Sequence, residues 1–499
     1  MSEAIAPPKL IVTGEATAIL PASEPGHTPI TVIGNEAIRK TFDAGCLQQA
    51  LNSRSAPGVT ELVLNPDAHL GYGAPIGCVL VSPTHIYPGP VGVDIKCSMS
   101  LLQMDIPAET VADVRTRRAL IEAILDRVPT GAGKGHRSVK KGRRASEAVG
   151  EMVATEGASV AVCGAMGIPE AWALRCEDAA HVGHEGTADS LRERLAFLRD
   201  GPLVKFEEKM GQLGSYGGGN HFGECEIVHV GKAARAKAAA EVFGLKDRCV
   251  AFLSHCGSRG FGFQLANGQF KALQHHFKTW SIPLPGNDRE LVYAPLGTPE
   301  ADTYIDDMAM GGNFATVNHL LINALVLEAF QEVIPGTKGE LVYFISHNIA
   351  RKELLDGKLV WVHRKGATRA FPPGHPGLIG TPFEHVGHPI LLPGNPQAGS
   401  VVMVAEAGAR KSAFSVNHGA GRAKGRKAAI REFDQAAIDA SFAASDILTN
   451  CRQYPKDEAP AAYKDFEQVL NSVTAAGLAS EVARLKATFV IKDSDKADD

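Results

Sequence analysis

Apolar positions follow two rhythms along the chain. In the first hundred residues, short runs rich in β-branched and aliphatic side chains are bounded by Gly or Pro and predict strands: "KLIVTG" (9–14), "TPITVIG" (28–34), "ELVLNP" (61–66) and "GCVLVS" (77–82). From 108 to 128, "AETVADVRTRRALIEAILDRV", apolar residues recur at helical spacing and predict an amphipathic helix. Residues 313–334, "NFATVNHLLINALVLEAFQEVI", are apolar around most of the helical circumference, which predicts a helix that is mostly buried. Further helices are predicted near 232–243, 426–442 and 475–487. Strands and helices do not alternate regularly, so the pattern favours an α+β class over a doubly wound sheet. No fixed-period repeat and no long linker cuts the chain. One large domain is expected, opening on a β-rich segment and closing on a frayed tail at 493–499.

Composition narrows the picture. Of the 499 residues 44% are hydrophobic, 21% charged and 6% aromatic, an ordinary soluble balance. Lysine plus arginine (51) nearly match aspartate plus glutamate (55), and the net charge of −4 carries no global nucleic-acid signature. A nucleic-acid partner would have to meet a local basic patch, such as "GAGKGHRSVKKGRR" (131–144). As a plain solvated surface that loop is equally well explained. The nine cysteines are scattered and never form C-x-x-C, which speaks against a disulfide framework and for a reducing compartment. "MSEAIAPPKL" lacks a basic n-region and an apolar stretch, and no window is apolar enough to cross a bilayer. A cytoplasmic protein is expected.

The candidate chemistry lies in stretches that carry a histidine or a cysteine, most of them rich in glycine. They are "NPDAHLGYG" (65–73), "VGVDIKC" (91–97), "GSYGGGNHFGE" (214–224), "LSHCGSRGFG" (253–262), "ISHNIARKE" (345–353), "HRKGATRAFPPG" (363–374) and "NHGAGRAKGR" (417–426). Glycine lets a backbone approach a ligand closely and turn several N–H groups onto one anion. Any single histidine is more often structural than a ligand, and Cys97 by itself reads equally well as a small buried hydrophobe. Asp94, Cys97, His221, His255 and His347 together form a carboxylate–thiolate–imidazole set suited to divalent first-row ions.

These motifs, with "APAAYKD" (459–465), resemble in content and order those of the RtcB family of GTP-dependent RNA-splicing ligases, from about residue 60 to about residue 492. The resemblance implies a single large α+β domain with a deep cleft for two Mn²⁺ ions. Cys97 would bridge both ions, Asp94 and His221 would complete one site, and His255 and His347 the other. Asp67 and His69 would lie nearby, with Asp67 in a supporting role. His418 would be the nucleophile that takes GMP from the co-substrate GTP. Asn220 and Arg422 would hold the nucleotide phosphates, while Glu224, Tyr463 and Lys492 would recognise guanine. The partner would be RNA with a 3′-phosphate or 2′,3′-cyclic phosphate end and a 5′-hydroxyl end, held by phosphate contacts from Arg259, Arg364, Lys365 and Arg369. An activating protein partner is compatible with this reading, and no membrane is.

The chain also departs from the family. The small polar run expected before the nucleophile is matched to "VVMVAEAGARKSAFS" (401–415), which would set Glu406 and Gly408 at the guanosine pocket. After "HGAGR" the chain has Lys424-Gly425-Arg426, and the expected terminal Lys-Gly becomes Lys492-Asp493. These changes fit a divergent bacterial branch devoted to tRNA splicing or RNA repair. The altered 401–415 run keeps an alternative open, a dinuclear-metal RNA cyclic phosphodiesterase that has lost guanylylation. A non-catalytic RNA-binding subunit is a third class, and it would require the ligand set to be idle.

Overall fold

The computed structural model describes residues 8–135, 138–203 and 205–493. The expected tail beyond 493, and His136 and Arg137 of the basic loop, lie outside them. Two large sheets dominate the described residues. A seven-stranded sheet runs in the spatial order Ile11–Gly14, Thr17–Leu20, Ile30–Ile33, Glu61–Tyr72, Ala74–Ser82, Lys358–Lys365, Asn348–Leu355. The other follows the order Gly339–Ser346, Ser98–Pro107, Cys249–Cys256, Phe222–Val230, Ala479–Lys492, Gly399–Ala405, Pro389–Asn395, with Leu448–Thr449 added in parallel to Ala479–Lys492. Both carry helices, and the class is α+β.

Each predicted early strand is present, and the first three pair into the same sheet as Glu61–Tyr72. Central strands of the second sheet are covered on both faces. Leu102, Met104 and Phe252 face a helical layer, whereas Met99, Leu101 and Leu253 face the helix Ala234–Phe243 and its surroundings. Burial on both faces removes the polar alternation of a one-sided strand. Between the sheets, Val79, Val81 and Val362 pack with Leu392, Val401 and Met403.

The long buried helix spans Pro299–Val333, starting fourteen residues before the predicted 313. Thr298 caps it, Pro299 opens it and Glu300 and Asp302 sit in its first turn, all favourable at the positive end of the helix dipole. Its early acidic residues look solvated in the sequence but are buried: Asp307 pairs with Arg194 at 2.8 Å and Asp306 with His184 at 2.9 Å. The helix predicted at 426–442 is broken into Arg426–Glu432 and Gln435–Ala444. The one predicted at 475–487 is overturned. Residues Phe466–Ala475 are helical and Ala479–Lys492 form a strand inside the eight-membered sheet, where ladder partners on both sides outweigh local helix propensity.

Candidate functional site

Sheet register assembles the site. Five neighbouring strands end on one edge of the second sheet. Ser346 pairs with Ser98, Met99 with His255, Phe222 with His255 and Lys492 with Phe222. Residues just beyond or at those ends are therefore brought together across 398 positions of sequence: Asp94 and Cys97, His221, His255, His347 and Lys492. Asp94 and Cys97 belong to one tight turn, closed by the Cys97 N–H on the Asp94 carbonyl at 3.1 Å. Lys96 within it has φ +54°, a left-handed conformation that is costly for a side chain bearing a Cβ. The turn is held from outside by the Lys96 N–H donating to the Asn348 carbonyl at 2.6 Å.

The ligand atoms converge on the Cys97 sulfur. Its Sγ lies 3.2 Å from His255 Nε2 and 3.5 Å from His221 Nε2. His221 Nε2 is 3.0 Å from Asp94 Oδ2, and His255 Nε2 is 3.4 Å from His347 Nε2. Two triads result, Asp94–Cys97–His221 and Cys97–His255–His347, sharing the thiol. The far ring nitrogens of two histidines are already committed. His221 Nδ1 is 2.8 Å from the Tyr216 carbonyl and His255 Nδ1 is 3.2 Å from the Asn220 carbonyl, so both rings carry their proton there and turn a bare Nε2 inward. Burial holds His255 and His347 well below the ordinary imidazole range. Burial, then the Asp94 charge, pushes the Cys97 thiol well up, and a cation is what would make a thiolate stable there. Burial also works on Asp94, yet the His221 contact, Cys97 and Arg259 together outweigh it and hold the carboxyl at about 2. Converging imidazole, carboxylate and thiol donors, with a thiol that would give up its proton to a cation, fit divalent metal ions.

A separate two-stranded ribbon, together with Asp67 from the seven-stranded sheet, contributes the second half. His418 follows the short strand Ser415–Asn417, which pairs with Ala367–Arg369. The Ala367 N–H donates to the His347 carbonyl at 3.1 Å, joining this ribbon to the ligand cluster. The rings of His347 and His418 are 4.7 Å apart. Nδ1 of His418 faces Asp67 Oδ2 at 2.6 Å and the Gly366 carbonyl at 2.8 Å, and the His418 N–H donates to the same carboxylate oxygen at 3.2 Å. Two acceptors at Nδ1 assign the proton to it and leave Nε2 with a free lone pair. Asp67 is wholly buried, and Gly77 and Gly421 line its slot: a Cβ on either would fall within 2.7 Å of it.

Beside His418 opens a cavity of about 270 Å³, lined also by His69, Asn220, Glu224, Arg422, Tyr463 and Lys492. Its far wall is organised by a residue the sequence reasoning missed. Glu458, buried, accepts from Tyr463 Oη at 2.6 Å and Arg426 Nη1 at 2.7 Å, and lies 3.2 Å from both Arg422 Nη1 and Lys492 Nζ. Burial raises its pKa, but Lys492, Arg426 and its other partners prevail and keep it low. Burial pushes Glu224 up to about 8 against the pull of Lys492. The only cue to Glu458 in the sequence is its position five residues before Tyr463 in an acidic patch.

Several expected placements fail. Glu406 and Gly408 do not line the cavity. Glu406 pairs with Arg235 at 3.1 Å and accepts from Ser480 at 2.6 Å, and a Cβ on Gly408 would strike the Gly477 carbonyl. The wall there comes from "PGNPQAGS" (393–400), so the small polar run lies one strand earlier than 401–415. Arg364, Lys365 and Arg369 are interior groups. Arg364 grips Glu353 through two bonds of 2.7 and 2.8 Å, and Arg369 lies 3.0 Å from Glu177. Lys365 is buried on the Tyr72 and Ala74 carbonyls, its pKa lowered to about 7 by burial. Of the four expected RNA contacts, Arg259 alone stays half-exposed. In the basic loop, Lys140 pairs with Asp126 at 3.1 Å and Lys141 with Glu332 at 2.6 Å.

A thiol-centred cluster able to hold metal ions, a carboxylate-held histidine and a cavity share one cleft, a set suited to phosphoryl chemistry. The chain belongs to the RtcB family: the family model described as "tRNA-splicing ligase RtcB" matches residues 49–493. It is 35% identical over 468 residues to a tRNA-splicing ligase RtcB of Pyrobaculum aerophilum, covering 89% of this chain and 90% of that one. A tRNA-splicing ligase RtcB of Thermococcus kodakarensis is 34% identical, covering 92% and 93%. An RNA-splicing ligase RtcB of Mycobacterium tuberculosis is 33% identical, covering 88% and 98%. Among the described residues no helix is long and apolar enough to cross a membrane.

Proposed function

We propose that the protein is an RNA ligase that joins a 3′-phosphate or 2′,3′-cyclic phosphate end to a 5′-hydroxyl end at the expense of GTP. The observation that carries this reading is the bare Nε2 of His418, held by Asp67 and Gly366 beside both the ligand cluster and the cavity. Nε2 attacks the α-phosphorus of GTP, the bond to the β-phosphate oxygen breaks and pyrophosphate leaves. Asp67 keeps the proton on Nδ1 and stabilises the cationic ring as the new N–P bond forms. An oxygen of the RNA 3′-phosphate then displaces His418, giving an RNA-(3′)pp(5′)G end, with cyclic ends first opened by water. Finally the 5′-hydroxyl attacks the 3′-phosphorus, GMP departs and a phosphodiester remains.

Asp94, Cys97 and His221 would hold one divalent ion, Mn²⁺ by this reading, and Cys97, His255 and His347 a second. When bound, such ions act as Lewis acids on the phosphoryl oxygens. Glu224, Tyr463 and Lys492 take the guanine, with Glu458 bracing Tyr463 and Lys492. Asn220 and Arg422 take the phosphates. The test is incubation with α-labelled GTP and Mn²⁺, then with RNA bearing the two end types. An acid-labile adduct that is absent in His418→Ala, followed by sealed RNA, is the expected result. Cyclic-phosphate opening without any adduct would instead identify a phosphodiesterase.

A further inference from the structure

The mechanism above leaves unused a buried cation that lies against the Asp67 segment. Lys464 is 4% exposed and stands directly after Tyr463 in the chain. Its ammonium donates to the carbonyls of Pro66 at 3.0 Å and Ala68 at 2.7 Å, the residues on either side of Asp67. Its backbone N–H donates to the Gly421 carbonyl at 2.9 Å, and Gly421 has φ +74° with its Cα hydrogen facing Asp67, where a Cβ would come within 2.2 Å of the Asp67 carbonyl oxygen. The neighbouring Tyr463 and Arg422 form an antiparallel bridge. A closed ring of contacts therefore runs from Asp67 to His418, along the loop to Gly421, across to Lys464 and back to both flanks of Asp67.

Burying an ammonium is costly, and this one is held by two carbonyls. Burial lowers its pKa to about 8, opposed by Asp67, Cys46 and Asp43, and the ammonium sits 4.6 Å from the Phe42 ring. Lys464 has no access to the ligand cluster in any contact of the described residues. Its two acceptors are the carbonyls of the residues immediately before and after Asp67. We infer that Lys464 is a positioning residue for the nucleophile, clamping the Pro66–Ala68 backbone so that the Asp67 carboxylate stays on His418 Nδ1. Because Tyr463 and Lys464 are consecutive, the segment that walls the nucleotide cavity also fixes the group that orients the attacking ring. The inference rests on His418 guanylylation as proposed above.

The experiment is a double-mutant cycle in the full-length protein, with single-turnover formation of the acid-labile adduct from α-labelled GTP and Mn²⁺ as readout. Lys464→Met is expected to slow adduct formation by about 30-fold, the scale typical of groups that orient a reactive side chain, while GTP affinity shifts by less than about threefold. In an Asp67→Asn background the same substitution should cost nothing further, because the residue it acts through is already disabled. Losses that multiply, or a loss confined to GTP affinity, would overturn the inference, as would wild-type rates in Lys464→Met. Lys464→Leu carries the same cycle should the Met variant fail to fold, and Lys464→Gln, which leaves a donor for the carbonyls, should recover part of the rate. If the wild-type protein itself forms no adduct, the ligase reading fails and not this one in particular.

Discussion

Asp67 and His418, 351 positions apart, share a hydrogen bond of 2.6 Å, and the same carboxylate oxygen takes the backbone N–H of His418 at 3.2 Å. The pair sets both the tautomer and the tilt of the ring. Asp67→Asn keeps the shape, but its amide can present a donor to Nδ1 and favour the wrong tautomer. Adduct formation from GTP should fall on the order of 10³–10⁴-fold, with metal content unchanged; rapid quench and elemental analysis check the two halves.

The Cys97 sulfur belongs to both triads. Cys97→Ala should therefore empty both positions, whereas His221→Ala should weaken only the one that includes Asp94. Equilibrium dialysis with Mn²⁺ measures the stoichiometry. Two ions retained by Cys97→Ala would contradict a shared ligand.

Arg364 is buried against Glu353, so its removal strands a carboxylate in the interior. Arg364→Met should lower unfolding stability by about 3 kcal/mol, the low end for a broken buried pair because Arg369 also lies 3.6 Å from Glu353. Urea denaturation reports it. RNA affinity of the folded variant should be unchanged, which separates a structural pair from a phosphate contact.

Glu224 supplies a pH signature. Burial raises its carboxyl from the ordinary 4.5 to about 8, so the folded protein holds a proton there that the unfolded chain releases. Its contribution to stability is complete below about 4.5 and is lost as pH climbs to about 8. Thermal melts without nucleotide should thus show a decline across that window that Glu224→Gln reduces. Glu226, raised in the same direction by burial and by Glu224, sets the decline that remains.

Glu406 pairs with Arg235 and Ser480, away from the cavity. Glu406→Ala should alter GTP affinity by less than about twofold, the scale of a partly exposed ion pair. Asn395→Ala, on the true wall, should weaken it more. Titration calorimetry distinguishes the two.

How much of this was legible beforehand depended on whether a residue's meaning is local. Asp94 and Cys97 lie in one turn, His221 and His255 sit at strand ends close to glycines and His347 lies between two strands, so short motifs could mark them. Arg364, Lys365 and Arg369 occupy an equally conspicuous motif, but burial decides their role, and burial comes from strands far away in the chain. The helix expected at 475–487 failed for the same reason: "ASEVARLKATFVIK" has helix-forming residues, yet ladders to 222–230 and 399–405 claim it. Glu458 and Lys464 act on partners up to hundreds of positions distant. Beyond an acidic patch and the "APAAYKD" motif, nothing in their own neighbourhood announces it.

The placement of Ala479–Lys492 has a bearing on how the molecule comes to be made. It is the last strand of its sheet to be synthesised, and it lies between Phe222–Val230 and Gly399–Ala405. Until it emerges from the ribosome, the sheet can exist only as two leaves, each with a raw edge able to pair with any passing strand. A nascent chain of this protein therefore carries two open sheet edges for as long as residues 479–492 remain unmade.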